Sequence, residues 1–282
     1  MGEKLSWEFT RGHEIAPGRT TLKALGGGNR CQVYLVWDEP RRRRLVAKML
    51  RRNLVGDEHA RRALRRELDA HEALAHPGLA RAVDASLSGP YPHIALEHAE
   101  GPTLRKLIRR EGALTADAMV ALALEVASVV DRIGREGWVH LDLKPGNIVM
   151  VEPPRVIDLS LARPVERAQR LTGPVGTNRY MAPEQIHPHG DVGPHTDVWG
   201  LGATLYHAIS GRRPFREPLT RAEDAPLEDR FPQLEDEPLP WAAPVPGRLA
   251  GAILACLEKN PARRPAASEL LELLESPTGS RR

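Results

Sequence analysis

The densest chemistry in this chain lies in nine residues, Val139-His140-Leu141-Asp142-Leu143-Lys144-Pro145-Gly146-Asn147. Eleven positions after Asn147 comes Asp158, in Val156-Ile157-Asp158-Leu159-Ser160. Asp142 offers a carboxylate able to accept a hydroxyl proton, and Lys144 a positive charge two residues on. Asn147 contributes an amide oxygen and Asp158 a second carboxylate, both hard donors of the kind a divalent cation such as Mg takes. Such a set suits phosphoryl transfer, in which the protein positions the reactants and offsets developing charge.

Two further features fit the same chemistry. Lys48 sits in the apolar run Leu45-Val46-Ala47-Lys48-Met49-Leu50, where an unpaired ammonium is expensive. Glu67, on the charged helical stretch that follows, can be its partner and leave the lysine to face a nucleotide phosphate; an ordinary surface pair is the alternative. The chain has six lysines against thirty-four arginines, so a lysine in this strand points to a need for a compact point charge. Earlier, Leu25-Gly26-Gly27-Gly28-Asn29-Arg30-Cys31-Gln32-Val33 places glycines where backbone amides could approach phosphate oxygens at positive φ. Taken alone, such a triplet is more often a plain turn.

These groups need elements to hold them. Runs 32–37 and 45–50 are rich in β-formers and separated by a turn at 38–44, so they predict a hairpin. A charged helix is expected from about 57 to 75, stopping before His76-Pro77-Gly78. Short strands follow around Ala82 and over 93–97. Met119, Leu122, Val126, Val129, Val130 and Ile133 then recur at three- and four-residue steps, a buried-face helix with Thr115 as its cap. Strand pieces are expected at 148–150 and 156–157, and helices at 197–210 and 249–257. Strands early and helices late imply an α+β protein with two lobes. The division reads as an N-terminal extension 1–19, a first lobe 20–99, a second lobe 100–276 and a tail 277–282. Both ends read as dispensable.

Composition removes several classes. The 282 residues are 41% hydrophobic and 27% charged, which excludes disorder, collagen and coiled coil. The longest apolar stretch, 119–133, is cut by Glu125 and Asp131, so no membrane span is expected. Cys31 and Cys256 form no ladder of spacings, which suits a reducing, cytoplasmic setting. Net charge is +3, too small for a dedicated nucleic-acid binder. The charge is uneven: residues 41–70 are strongly basic, and 216–240 are acidic and proline-rich, reading as a solvated insertion rather than a dock for a basic partner. His187, His189, Asp191 and His195 could bind a transition metal or form an ordinary loop. Residues 1–6 fit a loose myristoylation pattern.

Over about 20–275 the chain resembles the eukaryotic-type serine/threonine protein kinases found in bacteria, and the fold implied is the two-lobed kinase fold. By that likeness Leu25, Gly26, Gly28 and Val33 belong to the phosphate-covering loop, Lys48 is the third-strand lysine and Glu67 the carboxylate of the first main helix. Val46 lies beside adenine, Leu96 is the gatekeeper, and Glu97 and Ala99 offer backbone groups to the base. Asp142 would be the catalytic base, with His140 a structural member of its loop; Lys144 would steady the transferring phosphate, and Asn147 with Asp158 would hold magnesium. Gly176-Thr177-Asn178-Arg179-Tyr180-Met181-Ala182-Pro183-Glu184 is similar to the substrate-docking loop, with Thr177 facing substrate. Asp197 begins the central helix of the second lobe, and Arg264 is the expected ion-pair partner of Glu184. The resemblance implies MgATP in the cleft, a protein substrate and no nucleic acid. A nucleotide-binding scaffold and a small-molecule kinase are the rival readings.

Four departures qualify the likeness. Cys31 stands in place of the third glycine and would put a thiol near the nucleotide. His71 falls at a usually apolar position, which suggests a buried neutral ring. Leu141 replaces the arginine that receives an activation-loop phosphate, so activity independent of loop phosphorylation is expected. Ser160 replaces the glycine after Asp158-Leu159, which would restrict movement of that segment.

Overall fold

A computed structural model describes residues 5–275. Most of the acylation-like N-terminus and the 277–282 tail lie outside the described residues. Among the described residues the chain forms two compact units, 5–75 with 80–100, and 76–79 with 101–275. The segment His76–Leu79 therefore packs with the later unit although it precedes the strands around Ala82 and 93–97.

The first unit is an antiparallel sheet with one helix. Its strands are β1 (Glu14–Ala16), β2 (Arg19–Gly27), β3 (Cys31–Asp38), β4 (Arg43–Leu50), β5 (Ala82–Ser86) and β6 (His93–Glu97), in the order β1-β2-β3-β4-β6-β5. The helix is α1 (Glu58–Ala73), opened by Asp57, whose side chain accepts from the Ala60 amide. Val33 pairs with Lys48, and Lys48 with Ile94; Leu35 pairs with Val46, and Val46 with Leu96. Because side chains alternate along a strand, this register puts Lys48, Val46 and Leu96 on one face, together with Cys31 and Leu50. Ala60, Leu64 and Leu68 of α1 cover that face. Tyr34, Val36, Leu45, Ala47, Met49 and Ala95 form the other face. With both faces covered, β3 and β4 read as near-continuous apolar runs rather than alternating ones.

The second face is covered by the residues expected to be dispensable. Trp7 and Phe9 pack on it, their rings 5.2 Å apart and stacked, and Tyr91 meets both edge-on. The Trp7 indole donates to the Leu50 carbonyl at 2.8 Å, and the Trp7 amide to Gln32 at 2.8 Å. The stretch looks polar on average, but its two aromatics stand two residues apart, the spacing that puts both on one side of an extended chain.

In the second unit helices dominate: α2 (Leu104–Glu111), α3 (Ala116–Arg135), α4 (Val165–Ala168), α5 (Pro183–Ile186), α6 (Pro194–Ser210), α7 (Leu227–Arg230), α8 (Gly247–Cys256) and α9 (Ala267–Glu275). Short strand pairs β7 (Trp138–Val139) with β10 (Arg163–Pro164), and β8 (Ile148–Val149) with β9 (Arg155–Val156), carry the polar loops. α3 buries the 119, 122, 126, 129, 130 and 133 stripe, and Thr115 caps it by accepting from the Ala118 amide. α6 is buried almost all round. Its Gly202 leaves no room for a side chain, since a Cβ there would lie 2.5 Å from Cys256 Cβ of α8.

Residues 216–226 are largely exposed, as a solvated segment would be, but 227–239 are not. Phe231 is 1% exposed and joins Met181 and Ile186 in a core cluster, with Leu227 and Leu234 against it. The Tyr206 hydroxyl donates to the Leu239 carbonyl at 2.5 Å. Acidic composition concealed apolar anchors at 227, 231 and 234, the i, i+4, i+7 pattern of a buried face.

Candidate active site

Lys48 Nζ donates to Glu67 Oε1 at 2.5 Å, both side chains being largely buried. The strand register turns Lys48 toward α1, and Glu67 stands on the inward face of that helix beside Leu64 and Leu68. In the glycine loop, Gly26 and Gly27 have φ of +133° and +152°, and a Cβ on Gly27 would meet the Cys31 carbonyl oxygen at 2.5 Å. The conformational demand thus falls on Gly26 and Gly27, whereas Gly28 has open space around it. Cys31 lies in the apolar core under α1, a thiol 7% exposed. Leu96 is buried, Val46 packs against the same cluster, and Leu25 is 42% exposed. The Glu97 amide is committed to the Arg81 carbonyl at 2.9 Å; Ala99 follows in the irregular segment after β6. His71 is buried on α1 at 8% exposure.

In the second unit the loop after β7 is held from beneath. Asp197 is 2% exposed and accepts the amides of His140 at 2.6 Å and Leu141 at 2.9 Å, one on each carboxylate oxygen. Burial pushes the Asp197 pKa up, opposed by His140 and by those two amides. This clamp holds Leu141 at φ +68°, an unusual conformation for a residue with a Cβ. The Asp142 amide in turn donates to His140 Nδ1 at 3.2 Å.

Asp142 is 8% exposed and fully engaged. Its Oδ1 accepts from the Thr177 hydroxyl at 2.6 Å and its Oδ2 from Lys144 Nζ at 2.5 Å. Lys144 also donates to the Thr177 oxygen at 2.6 Å, closing a carboxylate, ammonium and hydroxyl triangle. Asn147 Nδ2 donates to the Asp142 carbonyl at 2.9 Å, which leaves its Oδ1 as the donor oxygen for a cation. The β8–β9 hairpin pairs Ile148 with Val156, and the Ile157 amide donates to the Asn147 carbonyl at 2.9 Å. That register brings Asp158 to the same end of the hairpin as Asn147, an amide oxygen and a carboxylate matching the hard-donor requirement of magnesium. The Ser160 amide donates to Asp158 Oδ1 at 3.0 Å, and Leu159 is buried, so both neighbours anchor the segment.

Leu141 packs with Val139, Ala168 and Val192, and Leu161, Val165, Leu171 and Val175 close around them. The segment after Asp158 is thereby fastened to the loop by apolar contact, where an arginine would need a phosphate. Gln185, which the sequence reading missed, makes a second fastening. Its Nε2 donates to the Leu141 carbonyl at 3.0 Å and the Val175 carbonyl at 2.7 Å, and its Oε1 accepts the Ala182 amide at 3.0 Å. Position 176 needs glycine twice over, since its φ is +140° and a Cβ there would lie 2.8 Å from the Leu141 carbonyl oxygen. Gln185 adjoins the Ala182-Pro183-Glu184 run, but a glutamine in sequence gives no sign of bridging two loops.

Arg264 forks onto Glu184, Nη1 to Oε1 at 2.6 Å and Nη2 to Oε2 at 2.8 Å. Its guanidinium lies 5.0 Å over the Trp199 ring, and Thr196 donates to Glu184 Oε1 at 2.9 Å. The histidine cluster takes the loop reading: His195 Nε2 is 2.6 Å from the Asp191 carbonyl, and among the described residues no three His, Cys, Asp or Glu side chains are grouped to hold a metal. Among the described residues no helix is long and apolar enough to cross a membrane.

Residues 19–274 match the family described as protein kinase domain. The chain is 33% identical over 270 residues to the probable serine/threonine-protein kinase PkwA of Thermomonospora curvata, covering 93% of this chain and 34% of that protein. It is 29% identical over 254 residues to the serine/threonine-protein kinase PknB of Mycobacterium tuberculosis, covering 85% and 39%. Against the serine/threonine-protein kinase AfsK of Streptomyces coelicolor the identity is 33% over 253 residues, covering 88% and 30%. The chain thus spans between 30% and 39% of the length of these relatives.

Proposed function

The chain belongs to the protein kinase family, and from that premise we propose that it transfers the γ-phosphate of MgATP to serine or threonine hydroxyls of protein substrates. The observation that carries this reading is the Thr177 hydroxyl donating to Asp142 at 2.6 Å while Lys144 touches both. A substrate hydroxyl held in the same way is oriented for in-line attack, and Asp142 accepts its proton as the bond to phosphorus forms. Lys144 follows the charge from the hydroxyl to the transferring group. Lys48, held by Glu67, offsets charge on the nucleotide phosphates. Asn147 and Asp158 would hold magnesium, which supplies charge neutralisation at the phosphate oxygens when bound.

The glycines at 26–28 with Leu25 and Val33 cover the nucleotide, and Val46, Leu96, Glu97 and Ala99 contact its base. His140, Asp197, Glu184 and Arg264 keep the loops in place without touching substrate. Leu141 makes the docking segment independent of a phosphate, since its anchor is apolar. A cytoplasmic setting goes with this reading.

The test is transfer of labelled γ-phosphate from MgATP to the protein itself and to generic protein substrates, with Asp142→Asn as control. Transfer by the parent and a fall of about 10²-fold or more in the variant is expected. Nucleotide binding without transfer to any substrate refutes the proposal.

A further inference from the structure

Three arginines from three elements stand around the docking loop, and the mechanism above uses none of them. Arg179 lies two residues after Thr177, so its Cα is within about 7 Å of that of Thr177. Arg213 follows the end of α6, and its Nη1 donates to Glu217 Oε1 at 3.0 Å. Arg179 Nη1 donates to the same Glu217 oxygen. Two guanidinium groups thus converge on one carboxylate whose side chain is 64% exposed. Arg213 Nε is enclosed with no hydrogen-bond partner. Arg105 of α2 runs over the Asp142 loop, its Cδ 4.0 Å from where a Cβ on Gly146 would be.

The charges do not cancel. Arg216 is paired with Asp236 at 2.7 Å, whereas Arg179 and Arg213 share the single carboxylate of Glu217, and Arg105 adds a third positive charge nearby. The field shows in the groups beneath. His207 Nδ1 lies 2.7 Å from the Tyr180 hydroxyl, and its pKa is pushed down to about 4 by burial and then by Arg213 and Arg105. The docking loop therefore presents a cationic rim beside the hydroxyl-binding triangle.

We propose that Arg179, Arg213 and Arg105 select protein substrates carrying aspartate or glutamate within about three residues of the accepting serine or threonine, a spacing set by the ~3.3 Å advance per residue of an extended peptide. Glu217 occupies the fork as the chain's own carboxylate, showing that the site is shaped for this group, and a substrate carboxylate replaces it. The inference rests on the proposed kinase reading and names the substrate class of that site. Guanidinium pairs take carboxylates in defined geometry, whereas a lysine or arginine in the peptide meets repulsion here.

Fluorescence anisotropy of labelled peptides tests it on the full chain, with one acceptor threonine flanked at positions −3 to +3 by Asp, Ala or Lys in turn. At low salt the acidic peptide binds about tenfold tighter than its alanine counterpart, an advantage that fades as salt screens the charges. Glu217→Gln frees the fork and raises affinity for the acidic peptide severalfold without doing so for the alanine peptide. Arg179→Glu makes the lysine peptide the better ligand. Both are gains that a misfolded variant cannot produce. Equal binding of acidic and alanine peptides, or an acidic preference indifferent to both substitutions, overturns the inference. Phosphate transfer is measured beside binding: transfer without acidic preference sinks only the specificity, and acidic preference without any transfer sinks only the kinase reading.

Discussion

Removing Arg264 is expected to destabilise the second unit more than any exposed substitution. The Glu184 pair is two-pronged at 2.6 and 2.8 Å, with side chains 0% and 6% exposed. Arg264 also donates to the carbonyls of Glu258 at 2.7 Å and His195 at 3.0 Å, and it stacks on Trp199. Arg264→Met keeps the volume but leaves Glu184 buried with the Thr196 hydroxyl donating to it and no cation forked onto it. Leaving one partner of a buried pair uncompensated costs about 3–5 kcal/mol. For a unit of about 180 residues that lowers the melting temperature by ~10 °C. The assay is a denaturant melt of the parent, Arg264→Met, Glu184→Leu and the double variant. The double should recover more than half of the single loss, because no charge is left stranded. A single loss under about 1 kcal/mol, or a double equal to the sum of the singles, refutes the argument.

Other outcomes follow from the same geometry. Thr172 is exposed and outside the Leu141 cluster, so a phosphate-free Thr172→Ala preparation should turn over like the parent; a collapse in rate would show that the segment needs a phosphate. Leu141→Ala opens a cavity in that cluster and should cost about 2–5 kcal/mol in a denaturant melt, with a loosened segment read as faster proteolysis between 161 and 175. Glu67→Gln strips the charge facing Lys48 and should lower phosphate transfer while the protein stays folded by circular dichroism; unchanged transfer counts against a role for the pair. His76, His93, His98 and His207 all have pKa values lowered chiefly by burial, so the unfolded chain binds more protons below their ordinary value of 6.5. Their contribution is complete above pH 6.5 and is lost as pH falls, toward about 4 for His207. A His207→Asn variant should show a shallower loss of stability over that window.

The sequence disclosed most where chemistry and periodicity coincide. Asp142, Lys144, Asn147 and Asp158 sit in short motifs whose order already implies a shared purpose, and the α3 stripe shows its buried face directly. Lys48 was conspicuous because an ammonium in an apolar strand demands a partner. What stayed hidden depends on contacts between distant segments. Trp7 and Phe9 are two aromatics in a polar stretch, and only the uncovered face of β3 and β4 explains them. Gln185, Phe231 and the convergence of Arg179 and Arg213 are long-range events with no local signature. Gly27 rather than Gly28 bears the steric demand because that is set by the turn back into β3, not by counting glycines.

The aromatic cover on the first unit bears on where the domain can be cut. Family similarity starts at residue 19, and an expression boundary drawn there would discard Trp7 and Phe9 along with β1. Such a trimmed protein would keep Lys48, Glu67, Asp142 and Asp158 yet bare the Tyr34, Leu45 and Met49 surface, an invitation to aggregate. The family match starts twelve residues after Trp7, and it is the inconspicuous segment before it that closes the second face of the small sheet.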